Sequence, residues 1–291
     1  MNSPAQDPVL TVAMRAARTA ASILVDAARD LKRLPSFAKT HGDVVSAADI
    51  EAEDAIVATL RAAFPEHAIL GEESGHIEGA RERPGVRWLV DPLDGTFNFV
   101  HGFPYIASSI AIEVDGAVEA GVVANPISGE LFSAVRGSGA WLHTAHASPR
   151  RLAVSDAESL ATGLIGSVLP SAASKHFEQV LPAWLDVARQ AGSIRRTGAA
   201  ALDLAQVAAG RLDGFFVMSL SAWDAAAGAL LVHEAGGTVC DFSGGNGFLQ
   251  SSQVIAGSAA VAAGLVTVED ILETVVGPIR GEGEAEGFVM E

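Results

Sequence analysis

The chain has 291 residues, with 19 Lys and Arg against 35 Asp and Glu, a formal net charge of -16 at pH 7. A hydrophobic fraction of 49% with 19% charged residues excludes a mainly disordered chain, and the acidic balance argues against nucleic acid as a direct partner, because a like-charged surface repels phosphate backbones. The single cysteine, Cys240, excludes an intramolecular disulfide and fits a reducing compartment.

Met1 to Leu10 carry no Lys or Arg, and the alanine-rich stretch after them is broken by Arg15, Arg18, Asp26, Arg29 and Asp30. Neither a signal peptide nor a membrane span is expected, and the protein is read as soluble and cytoplasmic. Leu10, Met14, Ala17, Ala21, Leu24, Ala28 and Leu31 recur at alternating steps of four and three, which predicts an amphipathic helix over 10–31. A second helix is expected over 49–64, with Asp49 at its N-terminus and Pro65 ending it. Ala68 to Gly71 reads as a short strand leading into Glu72-Glu73-Ser74-Gly75, and 76–86 as a charged surface loop. Arg87 to Asp91 reads as a strand running into Pro92-Leu93-Asp94-Gly95-Thr96. Three further strands, 108–114, 118–124 and 131–135, with Asp115-Gly116 as a hairpin turn, predict an antiparallel sheet.

The second half alternates. Strands are expected over 164–168, 214–218, 238–241 and 253–256, and helices over 173–190, 199–209, 223–235 and 259–274. Cys240, in Gly-Thr-Val-Cys-Asp, reads as a buried strand thiol. The glycine- and glutamate-rich tail over 276–291 reads as frayed, and 8–275 as one mixed α/β unit with two lobes.

Acidic residues stand where elements end: Glu72-Glu73, Asp91 with Asp94, and Asp224 after Trp223, while Asp43 and Asp49 lead into a helix. Pro92 bends the chain after Asp91, so the carboxylates of Asp91 and Asp94 can converge. Gly95 permits unusual backbone angles, and the amides of Gly95 and Thr96 can donate to a phosphate oxygen if they open a helix. Two carboxylates with the free carbonyl of Leu93 form a ligand set suited to magnesium. Each segment also has a plainer reading: an Asp-Gly turn or a helix cap for Asp91 and Asp94, solvated charge for Glu72-Glu73, and an N-cap for Asp224. A phosphate-handling site in so acidic a protein has to import positive charge, and a divalent metal is its natural source. The eight histidines show no zinc-like spacing; most read as surface or helix residues, with His101 close enough to the Asp94 segment to face a cleft.

In order, Gly71-Glu72-Glu73-Ser74, then Asp91-Pro92-Leu93-Asp94-Gly95-Thr96-Phe97-Asn98-Phe99, then Trp223-Asp224-Ala225-Ala226-Ala227-Gly228, resembles the inositol monophosphatase family. Asp43-Val44-Val45-Ser46-Ala47-Ala48-Asp49 and Glu234-Ala235-Gly236-Gly237 extend the resemblance to about residues 8–275, nearest the bacterial branch that includes a transcription-associated suppressor protein. The resemblance implies a layered α-β-α-β-α sandwich, commonly dimeric, and magnesium-dependent hydrolysis of a small phosphate monoester. It implies a first magnesium on Glu72, Asp91 and the Leu93 carbonyl, and a second on Asp91, Asp94 and Asp224. It further implies Glu72 near the attacking water, Thr96 with Asp49 as a proton relay, and Glu73 as an outer carboxylate or the holder of a third metal through water. Substrate contacts carried over are Gly95, Thr96, Ala200, Val217 and Asp224, with Ser167 also matching a cleft position. Val217 departs from the family's usual glutamate and leaves substrate hydroxyls without an acceptor there; Phe97 stands where threonine is usual. Inositol 1-phosphate and related polyol phosphates are the expected substrates, with histidinol phosphate, fructose 1,6-bisphosphate and 3'-phosphoadenosine 5'-phosphate as rivals. A regulatory protein that keeps the phosphatase scaffold and meets the transcription machinery is the alternative.

Overall fold

The computed structural model describes residues 7–31, 36–40, 43–80, 85–170 and 177–267. Helix α1 (Pro8–Ala28) is opened by Asp7, whose carboxylate accepts the Leu10 amide at 2.9 Å. A ribbon of β1 (Ser36–Thr40) and β2 (Asp43–Ser46) leads into α2 (Ala47–Ala63). Asp49 does not cap α2 itself. Ser46 is the cap and Asp49, three residues on, bonds back to it in a capping box. Then come β3 (Ala68–Gly71), β4 (Gly75–Ile77), β5 (Val86–Asp94), the short α3 (Thr96–Val100), β6 (Ala107–Val114), β7 (Ala117–Asn125), β8 (Glu130–Val135), β9 (Ala140–Thr144) and β10 (Ala147–Arg151). The second half holds β11 (Leu164–Ser167), α4 (Phe177–Gln190), β12 (Ser193–Arg195), α5 (Ala200–Ala208), β13 (Gly214–Val217), α6 (Ala222–Glu234), β14 (Thr238–Cys240), α7 (Phe248–Ser251), β15 (Val254–Gly257) and α8 (Ala259–Val266).

Strands β10-β9-β8-β7-β6-β5-β3-β4 form one sheet in that order, and β12-β11-β13-β15-β14 form a second. The period-two alternation sorts their side chains into layers. Trp88, Val90, Ile110 and Val122 face α1 and α2, whereas Leu89, Ala111, Val123 and Phe132 face α5 and α6. Those two helices also cover Phe215, Val217, Val254 and Ala256 of the second sheet. Its far face, with Ile165, Phe216 and Ile255, packs on Ala183 and Val187 of α4 and on Val261 and Leu265 of α8. The result is the expected α-β-α-β-α order. Each fully buried Leu, Ile or Phe in these layers contributes about 1.5–3 kcal/mol. Close approach between layers needs small residues: a Cβ on Gly121 of β7 would fall 2.8 Å from the Ala227 Cα of α6.

By length and composition alone, α1 is apolar enough to cross a membrane. Its stripe of Leu10, Met14, Ala17, Ala20 and Leu24 is instead buried against α2, β6 and β7, with Arg15, Arg18 and Thr19 outward. Ala20 takes the core position expected of Ala21, and the helix stops at Ala28, not at residue 31. Asp115 and Gly116 both have positive φ, as the expected hairpin turn requires. The strand expected to end at Asp91 runs on to Asp94 through a bulge. The short elements β4, β9, β10, β12 and α7 have no clear sequence signature, and β4 overlaps the start of the stretch expected to be loop. His41, His176, the side chains of Lys39 and Asp43, and the tail over 276–291 lie outside the described residues.

Candidate metal centre

The site is built on the end of β5. Asp91 pairs with Ser109 and Asp94 with Ala107, so β5 carries one residue more than β6 between these points. Pro92 has no N–H to lose there. Its carbonyl accepts the Ser108 hydroxyl at 2.7 Å, and the Asp91 carboxylate accepts the Leu93 amide at 2.9 Å. Gly95 follows with φ +90°; a Cβ on it would stand 3.1 Å from the Gly198 carbonyl oxygen and 3.2 Å from that of Tyr105. Only glycine fits this backbone without strain. The chain then turns into α3, and Thr96 Oγ1 donates to Asp49 at 2.9 Å while lying 3.1 Å from the Leu93 carbonyl oxygen.

Asp94 faces the start of α5. Its two carboxylate oxygens accept the amides of Ala200 at 3.0 Å, Ala201 at 2.8 Å and Leu202 at 3.2 Å. These are first-turn N–H groups without intrahelical partners, so an anion is favourable there. Asp224 enters from the first turn of α6, where it accepts the Ser221 amide at 3.1 Å, and it shares a hydrogen bond with Asp91. Glu72 arrives from the neighbouring strand: β3 runs parallel to β5 with Gly71 opposite Val90, and the Glu72 amide donates to the Val90 carbonyl at 3.1 Å. The turn beyond it is held from below by Glu53 of α2, which accepts the amides of Glu73 at 3.0 Å and Ser74 at 2.7 Å.

The electrostatics are those of acids crowded out of water. Burial, then the charges of Glu72, Asp224 and Asp94, push the Asp91 carboxyl well above its ordinary range. Burial and the Asp224 charge do the same to Asp94, against the opposing pull of the α5 amides. Burial pushes Asp224 up to about 6 and raises Asp49. Among the described residues, no three His, Cys, Asp or Glu side chains form a ready-made cage for one ion. Asp94 is turned to α5, and Asp91 and Asp224 bond each other. The donor chemistry nonetheless fits a hard divalent cation. Several buried carboxylates raise one another's pKa beside a carbonyl oxygen, and a cation among them would relieve that repulsion.

The structure therefore gathers Glu72, Asp91, Leu93, Asp94, Thr96, Asp49 and Asp224. Glu73 lies on the same turn as Glu72, half-buried. Ala200 reaches the cluster through its amide, its side chain being buried. Val217 is 3% exposed and packs with Leu220 and Val254 in the core, so it offers no open surface. Ser167 is fully buried at the end of β11. His101 is not part of the cluster: it is exposed, bonds the Phe97 carbonyl at 2.8 Å and packs on the Phe97 ring. His67 is buried and stacks on Phe64. Arg196 reaches the Leu169 carbonyl at 3.2 Å.

Three supporting residues were not anticipated. Glu53 is one. Asn98 donates to the carbonyls of Tyr105 at 2.7 Å and Thr197 at 2.9 Å, tying α3 to the loop before α5. Asp203 is wholly buried in α5, accepts from Tyr105 Oη at 2.7 Å and from Thr197 Oγ1 at 2.8 and 2.7 Å, and is pushed by burial up to about 7. Each looks in the sequence like an ordinary helix polar residue.

The sequence profile of the Inositol monophosphatase family matches residues 5–273. The chain belongs to the inositol monophosphatase family. A relative from Pseudomonas aeruginosa, the Nus factor SuhB, is 44% identical over 262 residues, spanning 89% of this chain and 95% of its own. An inositol-1-monophosphatase from Mesorhizobium japonicum is 43% identical over 262 residues, spanning 90% and 96%. The crystal structure of the extragenic suppressor protein suhB from Bartonella henselae superposes with a TM-score of 0.85 at 41% identity, covering 93% of this chain and 100% of that one. Inositol monophosphatases are generally metal-dependent, so family and acidic site agree in kind, and the scaffold is that of a phosphatase.

Proposed function

We propose that this protein hydrolyses a small phosphate monoester with magnesium, with residues 8–275 as one catalytic domain. The observation that carries the reading is the convergence of Asp91, Asp94, Asp224 and Glu72 at the end of β5, beside the Thr96–Asp49 hydrogen bond. Glu72, Asp91 and the Leu93 carbonyl would hold one magnesium, and Asp91, Asp94 and Asp224 a second; Glu73 is suited to an outer position or to a third ion through water. Bound there, magnesium neutralises phosphoryl oxygens and acidifies a bound water.

The chain's own residues supply the rest. Asp49 accepts from Thr96, Ser46 Oγ and the Ser46 amide, so its position is fixed from two sides. Thr96 can pass a proton from an attacking water to Asp49, whose carboxyl burial has already made more basic. The Gly95 and Thr96 amides are the donors proposed for the phosphate, and Glu72 is proposed to orient the water. The α5 amides fix Asp94 and so preorganise the site.

Inositol 1-phosphate or a related polyol phosphate is the proposed substrate class. Val217 supplies no acceptor for sugar hydroxyls, which favours testing histidinol phosphate, fructose 1,6-bisphosphate and 3'-phosphoadenosine 5'-phosphate beside it. A cytoplasmic homodimer is proposed with this reading; the single, buried Cys240 is consistent with a reducing compartment. A second reading is a regulatory role with the transcription machinery on the same scaffold, favoured by relatives that carry the name Nus factor SuhB. Phosphate release from this panel, with and without magnesium, separates them. Magnesium-dependent release supports the phosphatase and names its substrate; no release from any compound favours the regulatory protein.

A further inference from the structure

Helix α2 meets both halves of the acidic site with one face. Asp49 and Glu53 are four residues apart, so they project from the same side of the helix one turn from each other. Asp49 bonds Thr96, at the end of the β5 segment. Glu53 accepts the amides of Glu73 and Ser74, at the end of the β3 segment. Glu53 is only 3% exposed, so this carboxylate has been taken out of water to serve two backbone donors.

Gly71 makes the contact feasible. A Cβ there would lie 2.8 Å from Glu53 Cδ and 2.8 Å from Oε1. Glu72 sits between Gly71, whose strand is pinned to β5, and the two amides that Glu53 holds. Its backbone is thereby fixed on both sides. A carboxylate suits the task because both oxygens accept; a glutamine in the same place would turn an N–H group toward one of the two amide donors.

We propose that Glu53 is a positioning residue that sets where Glu72 stands relative to Asp91, and so tunes how tightly the acidic site holds a divalent cation. The proposal rests on the metal-dependent phosphatase reading. Residues that orient a ligand through a hydrogen bond typically change metal affinity by about 10–100-fold when altered.

The test is a magnesium titration of the full chain, read both as the rise in melting temperature and as phosphate release, on wild type, Glu53→Gln, Gly71→Ala and Ile56→Val. The last removes only core volume from α2 and reports what a weakened helix does by itself. The expected result is a magnesium midpoint at least about 10-fold higher for Glu53→Gln and Gly71→Ala by both readouts, with Ile56→Val at the wild-type midpoint. Amide exchange at Glu73 and Ser74 in magnesium-free protein is expected to speed up in Glu53→Gln alone of the two helix variants. Wild-type midpoints in Glu53→Gln and Gly71→Ala overturn the proposal and leave the phosphatase reading standing. A midpoint shift of the same size in Ile56→Val also overturns it, since helix loosening then suffices. A wild-type protein with no magnesium response removes the phosphatase reading, and this proposal with it. If Glu53→Gln does not fold, Glu53→Asp, which keeps the charge and retracts it by one methylene, is expected to show the same shift, and a wild-type midpoint there overturns the proposal.

Discussion

The hydroxyl of Thr96 and the carboxylate of Asp49 meet at 2.9 Å across 47 positions of sequence. The bond links the N-terminal capping box of α2 to the turn that follows β5. Thr96→Val deletes this hydroxyl with little change in volume. The expected outcome is a fall in kcat of about 100-fold or more with KM for substrate nearly unchanged, because proton transfer is lost and binding is not. Thr96→Ser keeps the hydroxyl and is expected to retain most activity. Steady-state kinetics on the two variants checks both statements. Asp49→Asn is a less clean probe, since it also disrupts the capping box at a cost of about 1 kcal/mol.

Asp203 gives a pH dependence. Burial pushes it from 3.8 up to about 7 in the folded protein. Between these values the folded chain keeps a proton that the unfolded chain releases, so stability falls as pH rises through the window and levels off above it. Each pH unit by which folding strengthens proton binding corresponds to about 1.4 kcal/mol, so the full effect is on the order of a few kcal/mol. Magnesium-free protein is expected to melt at a higher temperature at pH 5 than at pH 8. Asp203→Asn, compared at the same two pH values, is expected to show a smaller difference. Asp49, Asp91, Asp94 and Asp224, raised in the same direction, contribute to the remaining slope.

What the sequence discloses about this molecule follows from how local the cause is. Pro92 and Gly95 punctuate the acidic segment within six residues, and Asp115-Gly116 closes a hairpin by local backbone preference, so these features can be read directly. The strands of the central sheet, buried on both faces, read as short apolar runs bounded by turn residues. Asp49 could be read as belonging to the start of α2, but its role as partner of Ser46 depends on backbone angles. Glu53 and Asp203 were illegible. Glu53 is one of four acids in the alanine-rich α2 and Asp203 the one acid of the alanine-rich α5, and what buries each is distant in sequence: a loop 20 residues away for Glu53, and Tyr105, 98 residues away, for Asp203. On the buried face of α1, Leu10, Met14, Ala17 and Leu24 follow the apolar pattern, but the pattern cannot choose between the adjacent alanines Ala20 and Ala21, and Ala20 is the buried one. The edge strand β10 pairs with β9 through backbone groups, and, fully exposed, it has no apolar face to betray it.

Val217 is the residue where sequence and structure lead to different experiments. Its replacement by glutamate restores the family's usual residue type. The Val217 side chain is 3% exposed, however, so Val217→Glu puts a carboxylate into the core between the second sheet and α5. A buried polar group without a partner costs about 1–3 kcal/mol or more. The expected outcome is a melting temperature lower by several degrees, with no gain in activity toward inositol 1-phosphate. A thermal melt together with substrate kinetics decides it. A variant that melts like wild type and gains inositol phosphate activity would mean that position 217 reaches the substrate.

The central claim is that the acids gathered at the end of β5 hold magnesium for phosphate ester hydrolysis. Its most direct test is phosphate release from the best substrate of the panel by wild type and Asp94→Asn, each with magnesium and with a chelator. Circular dichroism establishes that both are folded at the assay temperature. The account predicts release by wild type only with magnesium, and release by Asp94→Asn at least about 100-fold slower under the same conditions. Release by Asp94→Asn at the wild-type rate, or undiminished release by wild type in chelator, would contradict it.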